Sequence, residues 1–121
     1  MNNQYRVTFF RHPETGRTPV RDYLSDLPTK ERAKISKYIE FLRESYGVLD
    51  EPYSRHLRGK IRELRVDFGK NRHRICYFTL IGKNIILLHA FKKTTAKTPE
   101  PEINRALENF QLVINNKHLY E

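Results

Sequence analysis

Arg65, Arg72 and Arg74 fall within ten residues of one another, and Lys92 and Lys93 close the largely apolar run Ile85–Phe91. Cations gathered on one small surface repel each other unless an anion compensates. One strand-end lysine is explained by solubility, as a charge that blunts a sheet edge. Arg65, Arg74 and Lys92 together are read instead as an anion site. Fixed guanidinium and ammonium donors stabilise the charge that develops on phosphorus during phosphodiester exchange. In RNA the 2′-hydroxyl is a built-in nucleophile, so a protein need supply only a base, charge stabilisation and a proton for the leaving group. The upstream stretch "SRHLRGKIR" adds His56, Arg58 and Lys60, and His89 interrupts the apolar run.

Other chemistries find little support. The histidines at 56, 73 and 89 lack the close pairing of zinc sites, and a single cysteine, Cys76, excludes an intrachain disulfide. No glycine-rich phosphate loop and no carboxylate cluster suited to magnesium is present. No metal or cofactor is expected. Cys76 stands in an apolar strand and reads as a small core residue.

Charge supports a polyanionic partner. The chain carries +9 with a pI near 9.8. Tyr53 to Lys97 holds twelve Lys or Arg against two acids, Glu63 and Asp67, whereas the remainder has eleven bases and twelve acids. The excess is therefore local, which generic solubility does not require. At 121 residues a single domain over 1–121 is expected, with no membrane span, no secretory signal and a cytoplasmic location.

The elements that would position these residues follow from pattern. "QYRVTFF" alternates and predicts a strand over Gln4–Phe10. Thr18-Pro19 predicts an N-cap and first helical residue, with Val20, Tyr23 and Leu24 turned inward and Pro28 as the stop. A longer helix begins at Thr29, buries Ile35, Tyr38, Ile39, Leu42 and Tyr46, and ends at Gly47. "VLDEPYSRHLRGK" is read as a loop. Strands follow over Ile61–Phe68, Arg72–Leu80 and a central Asn84–Lys92, joined by short turns. In the first, Leu64, Val66 and Phe68 face the core while the opposite face displays Arg65; in the third, His89 shares parity with Leu87 and Phe91. Thr98-Pro99 repeats the cap signal before a helix with Ile103, Ala106, Leu107, Phe110 and Ile114 inward. The order is β-α-α-β-β-β-α, an α+β fold.

Four stretches, "PVRDYLSDLP", "LRGKIRELRVDF", "NRHRICYF" and "IILLHAFKKTTAKTPEPEINRA", closely resemble the HigB-like, phage-related branch of the RelE/ParE toxin superfamily of bacterial type II toxin–antitoxin modules. The resemblance covers nearly the whole chain. It implies a RelE-like fold, mostly antiparallel, with an N-terminal helical hairpin and a C-terminal helix. It further implies an mRNA endoribonuclease acting at the ribosome and leaving a 2′,3′-cyclic phosphate. The implied partner is a HigA-like helix-turn-helix antitoxin, through which operator DNA is bound. By motif, the catalytic set is Arg65, Arg74 and the pair Lys92 and Lys93, in which Arg74 and Lys92 take phosphate and transition-state contacts and Arg65 supports them or adjusts the 2′-hydroxyl. His56, Arg58, Arg72 and His89 become RNA or ribosome contacts, and Glu63, His56, His89 and Tyr77 are each conceivable as the base.

Two other readings compete: a gyrase poison on the same fold, and a non-enzymatic nucleic-acid-binding module. The basic trio favours the nuclease. On that reading, Arg74→Ala abolishes toxicity while leaving a folded protein.

Overall fold

The computed structural model describes residues 4–80 and 82–121. β1 (Arg6–Phe9) leads into α1 (Pro19–Ser25) and α2 (Thr29–Glu44). β2 (Ser54–Arg58), β3 (Ile61–Phe68), β4 (Asn71–Leu80) and β5 (Asn84–Lys93) follow, then α3 (Glu100–Asn115) and a short 3₁₀ turn, Lys117–Leu119. The sheet order is β1-β5-β4-β3-β2, with β1 parallel to β5 and every other pair antiparallel. The expected α+β, mostly antiparallel architecture is what forms.

The helices cover both faces. On one, Val20 and Leu24 of α1 and Ile35, Ile39 and Leu42 of α2 pack on Leu64, Val66, Ile75, Tyr77, Ile85 and Leu87. On the other, Ala106 and Val113 of α3 join Cys76, Phe78, Ile86, Leu88 and Phe91. A strand inside such a sandwich must be apolar on both sides, which is why "NIILLHAF" lies between β1 and β4.

Several expectations are corrected. The presumed loop contains β2: its only large apolar residue is Leu57, and an edge strand needs little burial, so no hydrophobic alternation announces it. Tyr46 is 62% exposed, because α2 has already ended at Glu44 and Tyr46 turns left-handed, with φ of 61°. Gly47 does close the helix, at φ 76°, its N–H donating to the Leu42 carbonyl at 2.9 Å. An alanine Cβ there would stand 2.7 Å from Thr79 Oγ1. Neither Thr18 nor Thr98 caps its helix through its side chain. Pro19 is nonetheless the first residue of α1.

The strand periodicity also breaks. Cys76 opposes His89 and Tyr77 opposes Leu87, leaving Leu88 as an extra residue in β5. This bulge inverts the alternation, so Leu87 faces α1 and α2 while Leu88, His89 and Phe91 face α3. His89 therefore does not share the face of Leu87.

Under α1 and α2 a polar relay crosses the layers. The fully buried His73 lies with Nδ1 2.7 Å from the Tyr23 hydroxyl and Nε2 2.6 Å from Glu31 Oε2. Asn71 Nδ2 donates to the same carboxylate oxygen at 3.1 Å. The His73 hydrogen bond, chiefly, holds Glu31 below its ordinary carboxyl range. Burial, with repulsion from Glu31, pushes Tyr23 up to about 12. A depressed carboxyl pKa contributes stability above the unfolded value of 4.5 and loses it as pH falls through the folded one. A raised phenol contributes below pH 10 and loses it as pH rises toward 12. Thermal unfolding against pH should therefore show an acid limb that flattens in Glu31→Gln and an alkaline limb that flattens in Tyr23→Phe.

Candidate phosphate-binding face

Strand register alone assembles the cationic site. Residues directly opposite on paired strands project to the same face. Arg65 opposes Arg74, which opposes Phe91. One step toward the open end, Asp67 opposes Arg72, which opposes Lys93. One step inward, Glu63 opposes Cys76, which opposes His89. Three strands thus present a grid on the α3 side of the sheet, with three acidic or histidine side chains among four cations.

Arg74 is 2% exposed, yet its charge is met. Its Nη1 donates to Asp67 Oδ1 at 2.8 Å and to the His73 carbonyl at 3.0 Å, and its Nε lies 3.9 Å from Glu63 Oε1. Glu63, itself 2% exposed, accepts at Oε2 from the Thr98 hydroxyl at 2.7 Å. Thr98 stands one place before the N-cap of α3, which is Pro99, so the helix begins at Glu100 and not at Pro99 as expected. The Arg74 hydrogen bond, chiefly, with the charges of Arg74, Arg65 and Arg72, keeps Asp67 below its ordinary carboxyl range. Burial, then the proximity of Arg74, lowers the pKa of Lys93 below 10.5. Nε of both Arg65 and Arg74 is buried and without a hydrogen-bond partner among the described residues. Buried donors of this kind are met by a partner in most folded proteins, and a phosphate oxygen supplies a charge-matched one.

The structure divides the residues singled out by sequence. Arg65, Arg72, Arg74, Lys93 and His89 share the grid face. Lys92 does not: it opposes His73 on the α1/α2 side, where its charge acts on Glu31. The expected trio of Arg65, Arg74 and Lys92 is therefore not on one surface; the bulge at Leu88 brings Lys93 round and turns Lys92 away. His56 opposes Arg62 near the other end of the sheet, its ring nitrogen 2.9 Å from the Gly59 carbonyl. Arg58 pairs with Glu100 at the start of α3, at 3.1 Å. Tyr77 is buried on the α1/α2 side, its hydroxyl 2.6 Å from Ser54 Oγ. His89 lies 2.7 Å from Glu102 Oε1 and stacks on Phe91.

The face beyond Leu64 and Val66 is not simply solvated, as alternation suggested: α3 and its approach cover Glu63. Sequence reasoning missed Glu63 and Asp67 as partners of Arg74. Their signal was available, because Glu63, Arg65 and Asp67 recur at period two on one strand. Burial also revises the expected behaviour of Arg74→Ala, which would strand the Glu63 carboxylate in the interior. Removing one member of a buried pair costs about 3–5 kcal/mol. Chemical denaturation should show Arg74→Ala destabilised on that order, with Glu63→Gln/Arg74→Met recovering most of the loss.

The chain is similar to known proteins over most of its length. Residues 22–111 match the family described as "Phage derived protein Gp49-like (DUF891)". The chain is also 32% identical, over 100 residues, to the "Probable endoribonuclease HigB1" of Mycobacterium tuberculosis, in strains CDC 1551 / Oshkosh and ATCC 25618 / H37Rv. That similarity spans 83% of this chain and 78% of the relative. Coverage of this breadth agrees with the HigB-like motifs and with the α+β sheet they occupy, and the chain belongs to the Gp49-like family of phage-derived proteins as a HigB-like member.

Proposed function

We propose that the protein is the toxin of a type II toxin–antitoxin module, an endoribonuclease that cuts mRNA on the grid face. One observation carries the reading: Arg65 and Arg74 stand directly opposite each other with buried Nε donors that have no hydrogen-bond partner among the described residues, and Lys93 joins them on the same face. The relative whose name declares it a probable endoribonuclease supports the reaction class.

In the reaction, the 2′-oxygen attacks phosphorus and the bond to the 5′-oxygen breaks, leaving a 2′,3′-cyclic phosphate and a free 5′-hydroxyl. The proton of the 2′-hydroxyl passes to a base, and the departing 5′-oxygen receives one. Of the four conceivable bases, Tyr77 and His56 face away from the grid, whereas Glu63 and His89 lie in its inner row. Glu63 and His89 are the groups assigned to proton transfer. Arg74 and Lys93 take the charge on the phosphorane, with Arg65 beside the 2′-hydroxyl and Arg72 on the flanking backbone. Arg58 contributes to RNA or ribosome binding from the rim. Lys92, on the opposite face, contributes long-range attraction.

The substrate is mRNA in the ribosome, and the cell compartment is the cytoplasm. The neutralising partner is a HigA-like helix-turn-helix antitoxin, which carries the pair to operator DNA.

Induced expression with primer extension across an abundant transcript tests this. Cuts should appear within translated regions and carry 2′,3′-cyclic phosphate ends. Arg74→Lys, which keeps the charge but loses the planar fork, should lower cutting at least about 100-fold. Growth arrest with intact mRNA and broken DNA would instead indicate a gyrase poison.

A further inference from the structure

We infer that Tyr53, braced by Tyr38 and Phe41, is a stacking platform for an unpaired base of the RNA strand that enters the Arg65–Arg74–Lys93 site. The inference rests on the nuclease reading and adds a subsite to it.

Three aromatic rings meet where β3 runs past the end of β2. Tyr38 and Phe41 both lie on α2 and contact Tyr53 at centroid separations of 6.0 and 6.2 Å, inclined at 62° and 85°. Two such edge contacts fix the Tyr53 ring. Even so, Tyr53 remains 41% exposed and Phe41 46% exposed. Neither is needed to fill the core, since α2 already buries Ile35, Ile39 and Leu42 against the sheet. An ordered ring left open to solvent next to a cationic site has a surface to offer a planar partner.

The position ties the cluster to the grid. The Tyr53 carbonyl accepts the Arg65 backbone N–H at 2.9 Å, so the ring is latched to the strand residue that faces the scissile phosphate. Lys34, Tyr38, Pro52 and Tyr53 line a recess of about 190 Å³ together with Arg65 and Asp67. The one acid in that lining, Asp67, is already held by Arg74. Lys34 lies 5.7 Å from the Tyr38 ring centroid and also donates to the Asp67 carbonyl. Rings flanked by cations, in a recess that shares Arg65 and Asp67 with the grid, have the composition that single-stranded nucleic acid requires. Bases stack on aromatic faces while the backbone follows the positive charge. That composition favours RNA over an apolar protein segment, for which Lys34 and Arg65 would be costly to desolvate.

The test maps RNA 5′ ends genome-wide after induction of wild type, Tyr53→Ala, Tyr53→Phe and Arg74→Lys. Loss of a stacked base contact weakens binding about 5- to 150-fold. Tyr53→Ala should therefore cut less by about that factor. It should also lose the purine bias expected at one nucleotide flanking the wild-type cut, since purines present the larger face. Tyr53→Phe keeps the ring and should restore both rate and bias; a merely folding-defective Tyr53→Ala would lower the rate but leave the bias of the remaining cuts unchanged. Wild-type cutting by Tyr53→Ala, or a flanking bias that survives it, overturns the platform and leaves the aromatic patch to a protein partner. Absence of cuts from the wild type would instead remove the nuclease reading itself.

Discussion

Everything on the α3 side of the sheet depends on how Arg74 is buried. A guanidinium taken out of water costs several kcal/mol unless charge and hydrogen bonds replace the solvent. Glu63 and Asp67, four places apart on the neighbouring strand, meet it from either side, and the His73 carbonyl takes a further donor. Those contacts leave Nε without a hydrogen bond among the described residues, Glu63 Oε1 standing 3.9 Å from it, and Arg65 stands opposite with an Nε that likewise has no hydrogen-bond partner there. Two like charges facing each other across a strand pair destabilise the sheet. On the proposed reading, a phosphate bound here would relieve this repulsion, and cations already held in place by the fold would need little reorganisation as charge develops on phosphorus.

The second constraint is the single extra residue in β5. Strict alternation from Leu87 would place Lys92 opposite Arg72, on the face of Arg74, and put Lys93 under α1 and α2. The bulge at Leu88 reverses that assignment. It also lets His89 reach Glu102 on α3 and leaves Lys92 on the face that carries the Tyr23–His73–Glu31 relay. The relay occupies the opposite face of β4 from Arg74, one residue away, and secures that part of the strand to both α1 and α2. Mechanical support on one face and charge on the other are thus built from adjacent residues.

Much of this was legible in the chain. Period-two alternation located β3 to the residue, and the doubly apolar "NIILLHAF" announced a strand inside the sheet. The concentration of charge between Tyr53 and Lys97 pointed to β3, β4 and β5, the strands that carry the cationic grid. What failed has physical causes. A bulge leaves no mark in a strand that is apolar on both faces, because either register buries similar side chains. β2 went unseen because an edge strand rich in Arg and His carries no hydrophobic period. Tyr53 lay in what read as a loop, and its value comes from rings on α2 that are distant in sequence. The burial of Glu63 likewise depends on Thr98 and α3, more than thirty residues downstream.

The most direct measurement compares the two adjacent lysines in RNA cleavage under translation. Lys93→Met and Lys92→Met remove the same charge from neighbouring positions and differ chiefly in the face they alter. If the grid face is the active site, Lys93→Met lowers cutting at least about 100-fold while Lys92→Met stays within about tenfold of wild type. Equal losses, or a larger loss at Lys92, would contradict the assignment of the site to the α3 side of the sheet.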